Sequence, residues 1–145
     1  MEILKVLGLN KVYGKEENQV NALRDVNFTM EKGEFAAVVG ESGSGKSTLL
    51  NCIGGLDLPT AGKVFLDGED LYALDEKKRT IFRRRNIGFI FQAFHLIGEL
   101  SVEQNIIFPL LLDRQKPDKE KLEELMEVLG IADRRKHLPG QLSGG

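Results

Sequence analysis

Tryptophan is absent from the sequence, histidine occurs twice, and cysteine occurs once, at Cys52. A single cysteine excludes an internal disulfide framework and makes a reducing compartment the expected setting. Long hydrophobic runs are missing too. Residues 106–112 form the longest, it contains Pro109, and it falls far short of the ~18 residues that a membrane-spanning helix needs. The opening stretch, MEILKVLGLN, has no basic segment followed by a long apolar one, so no secretory leader is read. Neither sign of charge dominates, with 20 basic against 22 acidic residues and a net charge of -2, which argues against a nucleic-acid tail. What is there suits one globular domain: 145 residues, 41% apolar and 29% charged, without repeats or low-complexity segments.

The pattern along the chain predicts an α/β protein. EILKVLGLN (residues 2–10) and NALRDVNFTM (residues 21–30) alternate apolar and polar positions, as expected of strands with one buried face and of an antiparallel opening unit. EFAAVVG (residues 34–40) is apolar without alternation, the mark of a parallel strand covered on both faces. A helix is predicted next, with Leu49, Leu50 and Ile53 apolar and Gly54-Gly55 as its stop. GKVFLDGED (residues 62–70) reads as a strand running into an Asp67-Gly68 turn. NIGFIFQ (residues 86–92) reads as a further apolar strand after the basic run KKRTIFRRR, which is expected to be a solvated face. Helices follow. Ser101 and Gln104 match a capping box, Pro109 is expected to kink the helix they start, Asp118 can cap another, and Leu122, Leu125, Met126 and Leu129 have helical spacing before Gly130.

The stretch GESGSGKST (residues 40–48) carries the chemistry. It contains G-x-x-x-x-G-K-S between a predicted strand and a predicted helix. Gly40, Gly43 and Gly45, with Ser42 and Ser44 between them, let successive backbone N–H groups turn inward, and the helix N-terminus adds partial positive charge. Such a nest fits a polyphosphate. Lys46 is placed to reach the β and γ phosphates, the Ser47 hydroxyl to ligate Mg²⁺, and Thr48 follows in the same turn.

Four features in fixed order extend this: Tyr13 in KVYG, the P-loop, Gln92 in IGFIFQAFHLI, and the closing QLSGG. On these the chain resembles the nucleotide-binding subunits of ABC transporters across essentially its whole length. LLNCIGGLDLPTAGKV and the Arg-rich approach to NIGFIFQ look most like the lipoprotein-releasing, macrolide and peptide exporter ATPases. The resemblance implies a P-loop NTPase (RecA-like) core with an N-terminal antiparallel β unit and a helical subdomain, truncated before the Walker B strand. It divides the chain into residues 1–33, the β unit; 34–92, the P-loop core; and 93–145, the helical subdomain, ending inside the signature motif, whose start the closing QLSGG resembles. Departures are Glu41, where proline is frequent and which is expected to point outward, Gly98, and Gln104.

The resemblance also assigns roles. Tyr13 would stack on adenine, with Val20 lining the same site; Gln92 would bring its amide oxygen to Mg²⁺, beside Ser47, and couple the site to a membrane partner. Ser143, Gly144 and Gly145 would cover the γ-phosphate held by a second copy, in a head-to-tail homodimer. ATP and Mg²⁺ are the implied cofactors, and transmembrane permease subunits the implied partners. The implied location is cytoplasmic, peripheral at the inner face of the cell membrane.

No catalytic set is complete. Hydrolysis needs an aspartate on an apolar strand and, in this family, an adjacent glutamate. Asp67 is followed by Gly68 and Asp113 by Arg114, so neither has the acidic neighbour, and His95 and His137 match no family position. The expectation is an ATP-binding subunit for export or lipoprotein extraction, an ATPase when intact, of which this stretch binds Mg-ATP and hydrolyses it poorly. Two alternatives stay open. An ABC-type ATPase of DNA repair or chromosome organisation would show salt-dependent DNA binding through residues 77–85; no nucleic acid is expected on the preferred reading. A non-enzymatic nucleotide-binding module would be favoured if the gene ended at Gly145.

Overall fold

A computed structural model describes residues 1–143. The chain divides into two units, one spanning Met1–Gly88 and a second beginning at Phe89. The first is organised around an antiparallel sheet in the order β2-β1-β3-β4, built from β1 (Glu2–Tyr13), β2 (Val20–Glu31), β3 (Ala61–Leu66) and β4 (Glu69–Asp70). The alternation read in residues 2–10 and 21–30 explains β1 and β2. Leu4 and Val6 turn inward onto Val64 and Leu66 of β3, and the Asp67-Gly68 turn closes the β3–β4 hairpin with positive φ at both residues.

One irregularity in β1 decides which residues reach the site. Inward positions are Leu4 and Val6, then Leu9, so the parity switches at Gly8, where φ is +55° and both ladders shift register. Asn27 Oδ1 accepts from the Gly8 N–H at 2.7 Å, while the Asn10 side chain donates to the Gly8 carbonyl at 2.8 Å and accepts from the Asp25 N–H at 3.0 Å. The bulge is thus tied down from both sides. Because side chains alternate in a strand, the switch puts Lys11 and Tyr13 on the same face as Leu9.

That face is covered by α1 (Lys46–Ile53). Cys52 is fully buried in the cluster of Leu4, Val6, Leu9, Leu23, Val64 and Leu71, and Leu49 and Ile53 pack against it. Leu50, read as part of the apolar face, is exposed instead. Burial pushes the Cys52 thiol up to about 11, so it behaves as a small hydrophobe. The basic run forms α2 (Glu76–Asn86), capped by Asp75, and is not simply a solvated face. Arg83 donates to the Gly55 carbonyl at 2.8 Å, and the Arg79 guanidinium lies 5.4 Å from the Tyr72 ring centroid.

Two predicted strands do not form. Residues 34–40 and 87–92 are irregular, and Asn86 instead ends α2. A strand apolar on both faces needs ladder partners and two covering layers. Among the described residues neither segment pairs in a sheet, and Phe35, Val39 and Ile90 are almost fully exposed.

In the second unit, α3 (Val102–Leu112) starts at the capping box read from sequence. The Ser101 hydroxyl accepts from the Gln104 N–H at 3.2 Å, and Gln104 Oε1 accepts from the Ser101 N–H at 2.8 Å. Pro109 lies inside this helix, which runs on to Leu112. Asp118 caps α4 (Lys119–Val128); of its four apolar positions, Met126 is fully buried, whereas Leu125 and Leu129 are exposed. Residues 135–137 return to α3: the carbonyls of His137 and Arg135 accept from the N–H groups of Val102 and Glu103, and the Arg135 guanidinium meets Glu123 and Glu103. No helix among the described residues is long and apolar enough to cross a membrane.

Candidate functional site

The turn between residue 40 and α1 is crowded at two glycines, mildly at Gly40 and severely at Gly45. A Cβ at Gly40 would meet Ser44 Oγ at 2.7 Å. At Gly45 φ is +96° and a Cβ would sit 2.3 Å from the Ala22 carbonyl of β2, so the loop presses directly on the sheet. Gly45 is also the N-cap of α1 and offers no side chain to its N–H groups, which leaves the first-turn donors for an anion. Lys46 Nζ folds back over the turn, donating to the carbonyls of Gly40 at 2.8 Å and Glu41 at 2.6 Å. It lies 3.4 Å from Ser44 Oγ. Glu41 is exposed, in line with an outward-pointing side chain, and Ser42, Gly43 and Ser47 are exposed too.

Tyr13 and Val20 are cross-strand partners where β1 meets β2, so the two residues expected at the adenine site stand side by side. Tyr13 is part-exposed at this strand end. Its hydroxyl donates to Asp57 Oδ2 at 2.5 Å, while Lys11 Nζ donates to Asp57 Oδ1 at 2.7 Å and to the Leu58 carbonyl at 2.6 Å. The bond to Asp57, then burial, hold the Tyr13 phenol above its ordinary value. For Asp57, partial burial opposes ionisation, but the Lys11 ammonium and the Tyr13 hydroxyl outweigh it and hold the carboxyl below its usual range. Neither Lys11 nor Asp57 was singled out by sequence reasoning. The legible signal was a lone carboxylate between the Gly54-Gly55 helix stop and Pro59.

In the second unit, Gln92 is exposed on an irregular segment braced by aromatic contacts. Phe89 stacks on Phe91 at 5.1 Å between centroids, and Phe91 meets His95 edge-on at 4.5 Å. Ser143 is exposed just after the turn Pro139–Gln141, where Gln141 Oε1 accepts from the Leu138 N–H at 2.8 Å. The remaining signature positions, Gly144 and Gly145, lie outside the described residues. No group of three or more His, Cys, Asp or Glu side chains could hold a metal among the described residues. Ser47 in the first unit and Gln92 in the second each carry an oxygen of the hard kind that Mg²⁺ takes.

A family described as ABC transporter matches residues 23–145, which include the P-loop, Gln92 and the signature stretch. The chain belongs to the ABC transporter family. An uncharacterised ABC transporter ATP-binding protein of Methanocaldococcus jannaschii is 44% identical over 137 residues, covering 93% of this chain and 61% of that protein. The lipoprotein-releasing system ATP-binding protein LolD of Bordetella pertussis is 42% identical over 139 residues, covering 94% and 60%. The macrolide export ATP-binding/permease protein MacB of a Shewanella species is 41% identical, covering 99% of this chain and 22% of that protein. Among solved structures, a dimeric ATP-binding cassette in a post-hydrolysis state bound to ADP and Pi superposes with a TM-score of 0.86 at 39% identity, covering 98% and 64%. The chain therefore spans 60–61% of the length of the first two ABC relatives.

Proposed function

We propose that this chain is the nucleotide-binding part of an ABC transporter ATPase, which takes Mg-ATP and couples its binding and hydrolysis to export or lipoprotein extraction. The P-loop carries the reading. Gly40, Gly43 and Gly45 form a nest at the N-terminus of α1, Lys46 sits over it, and Ser47 is exposed at its lip. Tyr13 and Val20 receive the base, with the Tyr13 hydroxyl held by Asp57. The names of the LolD and MacB relatives support a transport role, and a dimeric neighbour holding ADP and Pi supports nucleotide sandwiched between two copies. On this reading Ser143, Gly144 and Gly145 face the phosphates of the second copy, and permease subunits hold the protein at the inner face of the membrane.

Binding and hydrolysis are separable here. Asp67 sits in the β3–β4 turn and Asp113 caps the end of α3, so neither stands on a strand with an acidic neighbour. Residues 1–145 therefore grip nucleotide and turn it over slowly by themselves. Isothermal titration with Mg-ATP is expected to show binding that Lys46→Ala weakens by ~1.5–3 kcal/mol, the usual range for a charged hydrogen bond. Equal affinity in the variant contradicts the reading, and rapid turnover by the 145-residue chain contradicts slow hydrolysis.

A further inference from the structure

We infer that Asp57 and Lys11 are positioning residues for the base: they hold the Tyr13 ring in one orientation and set the protein's preference for a nucleotide over a bare polyphosphate. This rests on the nucleotide-binding reading and deepens it.

Three observations carry it. First, the Asp57 carboxylate is used at both oxygens, Oδ2 by the Tyr13 hydroxyl and Oδ1 by the Lys11 ammonium, so rotation of the carboxylate would break both bonds. Second, Lys11 Nζ lies 4.7 Å from the Tyr13 ring centroid, and the Lys11 side chain is only 12% exposed. One face of the ring is thereby covered by a cation, and the ring, with its residue 40% exposed, offers the other. Third, the loop that bears Asp57 is itself stitched down. Thr60 Oγ1 accepts from the Val12 N–H at 2.9 Å, the Thr60 N–H donates to the Asn10 carbonyl at 2.8 Å, and the Tyr72 hydroxyl lies 2.7 Å from the Asp57 carbonyl oxygen and 2.5 Å from that of Cys52.

The physical consequence concerns order. A tyrosine at the end of a strand and two-fifths exposed has several staggered positions available, and stacking on a base requires the ring to present a face. Anchoring its hydroxyl removes that freedom before ligand arrives, which is how preorganisation raises affinity without a new contact. Asp57 and Lys11 touch no phosphate on this account, so their effect falls on the base alone.

Two probes separate the terms: Mg-ATP, which has a base, and inorganic tripolyphosphate with Mg²⁺, which has none. Asp57→Ala is expected to weaken Mg-ATP about fivefold or more, within the range that stacking on one aromatic supplies, and tripolyphosphate less than twofold. Tyr13→Phe keeps the ring and loses the anchor. Combined with Asp57→Ala it is expected to lose less than the product of the two single effects, since the carboxylate acts through that hydroxyl. Equal weakening of both probes, or losses that multiply, overturns the proposal. Wild-type protein that binds neither probe would instead overturn the nucleotide-binding reading. Should Asp57→Ala not fold, Asp57→Asn serves with a second readout, the rise of tyrosinate absorbance with pH. The buried Tyr72 phenol is pushed far up and titrates later, so the first step reports Tyr13. Its midpoint is expected to fall in the variant, because the bond to Asp57 is the largest cause of its rise; an unchanged midpoint overturns the proposal.

Discussion

Two apolar stretches of the first unit behave in opposite ways. Along β1, Leu4, Val6 and Leu9 are buried to within a few per cent and their backbone is laddered on both sides, to β2 and β3. Residues 34–40, no less apolar, form no ladder, and Phe35 and Val39 are 98% and 86% exposed. The difference is not hydrophobicity. An alternating strand carries half its solution with it, since one face can meet water and one neighbouring hairpin completes its core. A uniformly apolar strand demands partners on both edges and cover on both faces. Among the described residues no such partner pairs with residues 34–40.

The comparison can be broken by substitution. Leu9→Ala, in the fully buried cluster, is expected to cost ~2–5 kcal/mol in denaturant unfolding, because the methyl groups it deletes leave a cavity. Next in size is Gly45→Ala, where the left-handed φ and the Ala22 carbonyl together are expected to cost ~1–3 kcal/mol and to reduce Mg-ATP binding in the same titration. At the far end, Val39→Asp is expected to change unfolding by less than ~0.5 kcal/mol, as at other exposed positions. It is also expected to lower self-association in light scattering, because the exposed apolar stretch is the hazard that charge blunts. A loss at Val39 as large as that at Leu9 would show the stretch to be packed in solution.

Two chemical probes sharpen the contrast further. Cys52, on α1 against β1, is expected to resist thiol reagents until the protein unfolds, since it is fully buried and its thiol titrates near 11. The smallest effect is acid dependence. Because the folded-state Asp57 carboxyl titrates below its ordinary value, its pairing stabilises fully above the ordinary carboxylate range and is lost as pH falls through the depressed value. The Tm gap between wild type and Asp57→Asn should therefore be widest near neutrality and close in acid.

Legibility followed the same physics. Features set by neighbours in sequence were readable: the alternation of β1 and β2, the Asp67-Gly68 turn, the Ser101–Gln104 box, the Asp118 cap, and the P-loop itself. Features that depend on distant partners were not. Residues 34–40 and 87–92 read as strands because their composition fits a sheet interior, while strand formation depends on what pairs with them. The parity switch at Gly8 is invisible without the opposing Asp25 and Asn27, yet it decides that Lys11 and Tyr13 face Asp57. Likewise Arg79 and Arg83 looked like part of a solvated basic run and proved to be tied to Tyr72 and Gly55.

Hydrogen exchange with and without Mg-ATP tests the central claim most directly. Nucleotide held by the P-loop is expected to slow exchange at the amides of residues 43–49, which cradle phosphate at the start of α1, and near Tyr13, while β3–β4 stays unchanged. Binding that protects other segments and leaves residues 43–49 exchanging as before would contradict it.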